Sequence, residues 1–208
     1  MDAMNLEWVR TLGNRMMGEF EQVLTMLEHA CKEGVNDLDT VGEESRNAGV
    51  SKYEALEQSL EVLDSLKKDY LDYAHYVGFT ANTNGWDLPF DEKFRQVDIE
   101  MDNQVVDRYF DVNVRNCYRN IYQAKLMAQD AFHKLLLGKY FPCPCCRVTY
   151  FAQSGNYEIC PVCGWENDRV QNADPSFAGG ANKSSLNEAR INYQNKHAGW
   201  GSVYGGGQ

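Results

Sequence analysis

Two pairs of cysteines in the C-terminal third of the chain have the type and spacing of metal ligands. Cys143 and Cys146 enclose two residues, and Cys160 and Cys163 enclose two more. A C-x2-C turn aims two thiolates at one ion, and tetrahedral zinc takes four such ligands. Two of these turns in one short segment therefore predict a zinc site. Free thiols or disulfides are the alternative reading of the same residues.

The donor set also predicts what the ion would do. Four thiolates complete a tetrahedron and leave no position for water or substrate, so the predicted role of the zinc is structural. Its binding would supply folding free energy to a segment that has few large apolar residues. A fifth thiol, Cys145, lies between the first pair of cysteines. We interpret it as a small filler or a hydrogen-bond donor that faces the site, with a redox-reactive cysteine beside the metal as the alternative.

No other group of residues in the sequence forms a recognisable catalytic pattern. His29, His75 and His133 fall within helical patterns, and no motif such as HExxH joins them. His197 follows the last predicted helix, but four cysteines already complete the ligand set. The sequence lacks a nucleophile elbow, a phosphate-binding loop and a dinucleotide fingerprint. We therefore expect a protein that is not an enzyme, with an enzyme whose site lies in the helical region as an alternative.

The N-terminal two thirds of the chain have the periodicity of long helices. Apolar residues recur there at steps of three and four, which predicts amphipathic helices over about residues 9–34, 51–77 and 92–137. The second helix would begin at a capping box, Ser51 to Glu54. The third is long enough to kink, and we expect the kink near Asp111–Asn113. The segments between the helices are polar or contain glycine and proline, so they are predicted loops.

The cysteine pairs lie on a smaller module that follows these helices. Residues 147–153 and 156–159 are predicted to form a β-hairpin between the two cysteine turns. Ser185 to Glu188 is a second capping box, which opens a short helix to about Asn195. The predicted fold class is mainly α, with an antiparallel helical bundle followed by a small zinc-ribbon module made of a β-hairpin and a short helix.

Charge is distributed unevenly between the predicted parts of the chain. We expect an acidic helical domain at residues 1–138, a zinc-ribbon-like domain at 139–198 and a flexible glycine-rich tail at 199–208. The formal net charge is −10, and residues 1–138 contain 25 Asp and Glu against 14 Lys and Arg. Phosphate neutralisation takes Lys and Arg, so the acidic body suits a basic protein surface better than a nucleic acid. A nucleic-acid-associated or regulatory zinc ribbon is the alternative function.

Two features of the helical region are candidates for a partner-binding surface. An acidic run that includes Asp98, Asp102, Asp107 and Asp111 places like charges one helical turn apart. Such pairs lower helix stability, and a basic partner would relieve the repulsion. Trp86, in the loop between the second and third helices, could be an interaction hot spot, although such a residue can also fasten a loop to the bundle. We expect a protein partner to contact these residues.

The sequence also predicts where the protein acts. Charged residues interrupt the N-terminal segment, which is unlike a signal peptide, and no apolar stretch approaches the length of a membrane span. Five of the seven cysteines are clustered in one short segment, as expected of reduced metal ligands. We therefore expect a cytoplasmic protein that does not bind membranes.

The C-terminal module resembles a known family. The motifs that carry the resemblance are CPCC at 143–146, ICPVCGWENDRVQNADP at 159–175, GGAN at 179–182 and SLNEARINY at 185–193. In this order they resemble the bacterial cysteine-rich CPCC domain family over residues 141–197. Two residues depart from the family pattern: Arg147 stands where glycine is usual, and Gly164 where an aromatic residue is common. The helical residues 1–138 show no such resemblance.

The resemblance implies a zinc-binding module and a kind of partner. Members of the family are thought to bind zinc, and some are found beside bacterial toxin–immunity systems. For this chain, the association of family members with toxin–immunity systems implies an immunity protein that blocks a basic toxin by occlusion. The acidic helical surface predicted above would then be the part that contacts the toxin.

Overall fold

The computed structural model of the protein describes residues 5–36, 43–87 and 104–204. Within these ranges the elements are α1 (Leu6–Asn36), α2 (Glu43–Val77), α3 (Gln104–Leu136), β1 (Phe141–Pro142), β2 (Tyr150–Phe151), α4 (Arg169–Ala173) and α5 (Leu186–Tyr204). The three long helices pack together as an antiparallel bundle, and a small two-stranded hairpin and a cysteine cluster follow. The predicted fold class is confirmed. No helix of the described ranges combines the length and apolarity that a membrane crossing requires.

The chain divides into two compact units. The first unit contains Met1–Gly18 and Ala128–Gln208, and the second contains Glu19–Met127. Helices α1 and α3 therefore each contribute residues to both units. The division at residue 138 and the flexibility of residues 199–208 stay predictions.

Aromatic side chains form the centre of the second unit. Phe20 packs edge to face against Tyr70 and against Trp86, with ring centroids 5.9 Å apart in both pairs. Tyr70 stacks on Trp86 at 5.3 Å, and Trp86 has no exposed surface. A side chain without exposed surface cannot contact a partner, so the structure corrects the assignment of Trp86 to a partner-binding surface. Trp86 instead fastens the loop after α2 to the bundle.

The connection between the first two helices is shorter than the sequence suggests. Helix α1 continues through Gly34 to Asn36, and α2 begins at Glu43. Ser51 therefore lies inside α2, and the prediction that it caps the helix is wrong. The residues that precede Ser51 include good helix formers, and a single interior glycine lowers helix stability by only about 1 kcal/mol. A local capping motif is overridden when the helix can extend through it.

Helices α3 and α5 also differ in part from their predicted extents. Helix α3 includes residues 111–113, and the kink that the sequence predicts there stays a prediction. The predicted beginning of this helix, residues 92–103, lies outside the described part of the chain. Helix α5 continues to Tyr204, so its predicted end near Asn195 is wrong.

Each pair of cysteines lies in the turn of its own short β-ladder. Strand β1 pairs antiparallel with β2, while Ile159 forms an isolated antiparallel bridge with Glu166. The predicted hairpin between residues 147–153 and 156–159 is therefore wrong. Tyr157 has a φ angle of +60°, so the chain leaves the extended conformation before it could pair in that way. We call residues 143–148 the first knuckle and residues 160–165 the second knuckle.

Candidate metal centre

Four cysteine thiols converge between the two knuckles. The Sγ atoms of Cys143, Cys146, Cys160 and Cys163 all lie within 4.8 Å of one another. The Cys143 and Cys163 sulfur atoms are 3.6 Å apart, and the Cys146 and Cys160 sulfur atoms are also 3.6 Å apart. With metal–sulfur bonds of about 2.3 Å, a tetrahedral site separates its sulfur atoms by about 3.8 Å. The four thiols therefore have the spacing that one tetrahedral ion requires.

The two knuckles share one backbone geometry. Arg147 N donates to Cys143 O at 3.0 Å, and at the equivalent position Gly164 N donates to Cys160 O at 2.9 Å. Arg147 and Gly164 both have positive φ angles, of +61° and +73°. This left-handed conformation is free of strain for glycine and unfavourable for other residues. The two residues that depart from the family pattern thus occupy the same position of the same turn.

Hydrogen-bond donors lie near two of the sulfur atoms, those of Cys146 and Cys160. Val148 N lies 3.5 Å from Cys146 Sγ, and Cys163 N lies 3.5 Å from Cys160 Sγ. The buried Thr149 hydroxyl lies 3.0 Å from Cys160 Sγ. Donors of this kind favour the thiolate, which is the form that binds a metal. Hydrogen bonds among the four thiols lower the pKa of Cys160, with a weaker contribution from Thr149, and raise the pKa of the other three thiols.

Cys145 is not one of the four clustered thiols. It is half-buried and packs against the apolar cluster that contains Phe151, Trp165 and Leu186. The adjacent Pro144 carbonyl accepts a hydrogen bond from Arg190 Nε at 2.9 Å, which ties this turn to α5. A hydrogen bond from Cys163 lowers the pKa of the Cys145 thiol. The packing is that of a small filler, and the role of Cys145 stays a prediction.

The polar motif after the second knuckle forms a buried hydrogen-bond network. Gln171 is fully buried, and its Nε2 donates to the Phe177, Asn182 and Ser184 carbonyls at 3.3, 3.0 and 3.0 Å. Its Oε1 accepts from Asn182 N at 2.9 Å. The Asn182 amide in turn bonds to Glu166 N and Glu166 O at 2.9 and 2.8 Å. Gln171 and Asn182 therefore hold together a loop that has little apolar core of its own.

Asp168 connects this network to the glycine-containing loop. Its Oδ1 accepts from Val170 N and Gln171 N at 2.7 and 3.2 Å, which caps α4, and its Oδ2 accepts from Ala181 N at 2.8 Å. A Cβ atom at Gly180 would lie 2.6 Å from Asp168 Oδ2, so the close approach requires glycine. These backbone donors, Ala181 first, lower the pKa of Asp168.

The predicted capping box at the start of α5 is confirmed. Ser185 N and Ser185 Oγ lie 2.8 and 2.9 Å from Glu188 Oε2, and Glu188 N donates back to Ser185 Oγ at 3.3 Å. The Ser185 amide is the main cause of the lowered pKa of Glu188. The box fixes the start of the helix that supports the first knuckle through Arg190.

The predicted acidic partner surface falls mostly outside what the structure describes. Asp98 and Asp102 lie outside the described residues, and Asp107 and Asp111 belong to α3 without a description of their side chains. Their role stays a prediction. Helix α2 carries a further set of exposed acidic residues with no ion pair among the described residues: Glu57, Glu61, Asp64 and Asp72.

Residues 141–200 match the family model described as Cysteine-rich CPCC. The match begins at β1 and ends within α5, so it contains both knuckles, the Gln171 network and the capping box. The resemblance carried by the sequence motifs is therefore confirmed for this segment. A search of curated proteins finds no match to the chain.

Proposed function

We propose that Cys143, Cys146, Cys160 and Cys163 hold one Zn²⁺ that stabilises the C-terminal module and takes no part in catalysis. The saturated donor set carries this proposal. Four clustered thiols fill every position of a tetrahedral site, so no position is left for water or substrate. Thiolates suit zinc, a borderline-soft ion without geometric preferences of its own.

The rest of the module supports a structural role for the ion. Its apolar cluster of buried residues consists of Cys143, Phe151, Cys160, Trp165 and Leu186, two of which are metal-ligand candidates. When bound, zinc supplies the folding free energy that so small a core cannot supply. Asp168 and Gln171 are held in hydrogen bonds to the backbone of the same module, which is the environment of structural residues. We therefore also propose that the module does not form an enzyme active site.

Metal removal tests this proposal. The purified chain is expected to contain one zinc per molecule, and a strong chelator should remove it and unfold the module. Near-ultraviolet circular dichroism would report the change through Trp165, which packs in the apolar cluster. A protein that purifies without metal, and whose spectrum and melting temperature do not respond to zinc or chelator, would refute the structural-zinc proposal.

We further propose that the acidic helical region binds a basic protein partner, as an immunity protein of a bacterial toxin system would. The support is the charge of residues 1–138, with 25 acidic against 14 basic residues, together with the toxin–immunity context that the resemblance implies. The exposed residues Glu57, Glu61 and Asp64 on α2 add a contiguous acidic face. Opposite charge accelerates association and selects the partner.

Co-purification with the product of the adjacent gene tests the partner proposal. A complex is expected, and its affinity should fall with added salt and with the variant Glu57→Gln, Glu61→Gln, Asp64→Asn. The control for a loss of exposed negative charge replaces Asp130, an exposed residue of α3 whose ion pair is with Lys134 of the same helix. A chain that remains alone, beside a neighbour that is harmless when expressed by itself, would refute the immunity proposal.

A further inference from the structure

We infer that α1 belongs to the metal module, and that Arg10 and Asn14 are positioning residues of the metal centre. Both residues precede the family segment, residues 141–200, by more than a hundred positions. Both lie in the same compact unit as the cysteines. The inference rests on the zinc site proposed above, and it assigns part of that site's affinity to residues outside the family segment.

Asn14 completes the open edge of the first β-ladder. Its Nδ2 donates to Tyr150 O at 2.7 Å, and its Oδ1 accepts from Tyr150 N at 2.9 Å. The side-chain amide thus bonds to both backbone groups of Tyr150, as a third strand would. Tyr150 is fully buried and pairs with Pro142, which precedes the first ligand, Cys143. Without Asn14, the buried Tyr150 N would lose its hydrogen bond, and Tyr150 O would keep the one from Arg10, at an edge beside the first knuckle.

Arg10 anchors a hydrogen-bond chain that leads to the second knuckle. Arg10 donates from NH1 to Glu158 Oε2 at 3.0 Å and to Tyr150 O at 3.2 Å. From the other side, Trp165 Nε1 donates to Asn172, Asn172 to Asn167, Asn167 to Asn156 and Asn156 to Glu158, at 3.2, 2.6, 2.6 and 2.6 Å. All four donors point toward the Glu158 carboxylate, so each bond polarises the next. The Arg10 guanidinium holds the carboxylate in which this chain ends.

The Trp165 end of this hydrogen-bond chain lies against the candidate metal ligands. Trp165 O accepts from Cys160 N at 2.9 Å, and the Trp165 side chain packs in the cluster that contains Cys143 and Cys160. Helix α1 also contacts the second knuckle directly. A Cβ atom at Gly18 would lie 3.0 Å from Pro161 Cβ, which is tighter than most Cβ contacts, so the helix backbone lies close to this turn. Both knuckles are therefore supported from α1.

Metal binding and the docking of α1 are linked by these contacts. If the module folds when the metal binds, every contact that forms only in the folded module adds to the apparent binding free energy. Arg10 and Asn14 make such contacts without touching a sulfur atom. Their removal should weaken metal binding and leave the ligand set unchanged. Outer residues that orient metal ligands affect affinity by about 10–100-fold.

Cobalt titration of the metal-free 208-residue chain tests this inference. Asn14→Ala is expected to weaken Co²⁺ binding about tenfold, with the absorption bands of the saturated protein at the wild-type wavelengths. Gln22→Ala is the matched control, because Gln22 is an exposed amide on the same helix. Arg10→Ala should also weaken binding, and Arg10→Lys should restore part of the loss because it keeps a cation beside Glu158.

The outcomes separate this inference from the proposal on which it rests. Wild-type protein that binds no cobalt or zinc would refute the metal site itself. Wild-type binding that is matched by Asn14→Ala and Arg10→Ala would retain the metal site and overturn the role of α1. If Asn14→Ala fails to fold, Asn14→Asp replaces it, since it keeps the acceptor for Tyr150 N and loses the donor to Tyr150 O. Unchanged cobalt affinity in Asn14→Asp would equally overturn the inference.

Discussion

The first and second knuckles have the same turn but different supports. In both, the residue after the second cysteine is left-handed and donates to the carbonyl of the first cysteine. The first knuckle closes a ladder of two strands whose outer edge Asn14 completes. The second closes a single bridge, in which the Asn182 amide bonds to both backbone groups of Glu166 and is itself held by Gln171. The cysteine turn is thus determined locally, while its support can come from strands or from side chains.

Removal of a cysteine ligand should have the largest effect on zinc affinity, and the effect should be the same in both knuckles. Cys146→Ser and Cys163→Ser each remove one sulfur from the same proposed tetrahedral site. Each should therefore weaken zinc binding by well over about 100-fold, the upper effect of residues that orient the ligands without binding the metal. Competition with a chromophoric chelator measures the affinity. Cys145→Ser, within the first knuckle but outside the cluster of four, is the matched control and should bind zinc normally. Loss of zinc from Cys145→Ser would mean that the ligand set is wrong.

Loss of the Gln171 amide should distinguish the two supports. Gln171→Leu keeps the side-chain size but leaves buried partners of the amide without hydrogen bonds, at a cost of about 3 kcal/mol in the free energy of unfolding. Urea denaturation of the zinc-loaded protein measures this cost. Gln153→Leu is the control, because Gln153 is exposed in the same module. Equal stability of the two variants would show that the network is not what supports the second knuckle.

Substitutions at the left-handed position should change stability in opposite directions: a loss for Gly164→Ala in the second knuckle and a gain for Arg147→Gly in the first. Gly164→Ala introduces a Cβ at a φ of +73° and is expected to lower stability by about 1 kcal/mol. Apart from the adjacent residues, no atom in the described part of the chain lies within 4 Å of that Cβ, so the backbone conformation determines the cost. Arg147→Gly removes the same strain and should raise stability by about 0.5 kcal/mol, because the greater freedom of the unfolded chain offsets part of the gain. A destabilised Arg147→Gly would show that the Arg147 side chain contributes contacts that outweigh its strain.

Low pH should weaken the hydrogen-bond network that supports the second knuckle, because Asp168 would be protonated. Its pKa is lowered in the folded protein, so its stabilising contribution is present above the ordinary value of 3.8 and is lost as pH falls through the folded pKa. The stability difference between wild type and Asp168→Asn should therefore shrink as pH falls below about 4. Urea denaturation at several pH values measures this difference. Asp130→Asn is the control for the loss of one exposed carboxylate, and a difference that stays constant with pH would contradict the role of Asp168.

Local sequence patterns predict some parts of this molecule and not others. Cysteine spacing identifies the four thiols that converge, and apolar periodicity identifies the bundle. The box at Ser185 is confirmed, whereas that at Ser51 is not, because a cap forms only where the helix cannot extend further. The predicted hairpin failed because the left-handed Tyr157 redirects the chain.

Long-range contacts account for the part of the site that the sequence does not reveal. Asn14 and Tyr150 are 136 positions apart, and no periodicity or motif of α1 indicates that its asparagine bonds to a strand edge. The Gln171 and Asn182 amides are visible in the family motifs, but a motif does not state which backbone groups its side chains bind. Their partners follow from the folded chain alone.

The zinc content of the purified 208-residue chain tests the central claim most directly. The measurement is the metal-to-protein ratio, by plasma mass spectrometry, for wild type, Cys145→Ser and Cys146→Ser purified side by side. We predict one zinc per chain in wild type and in Cys145→Ser, and none retained in Cys146→Ser. Wild-type protein without zinc, or Cys146→Ser with the same zinc content as wild type, would contradict the claim that the two knuckles hold one saturated tetrathiolate site.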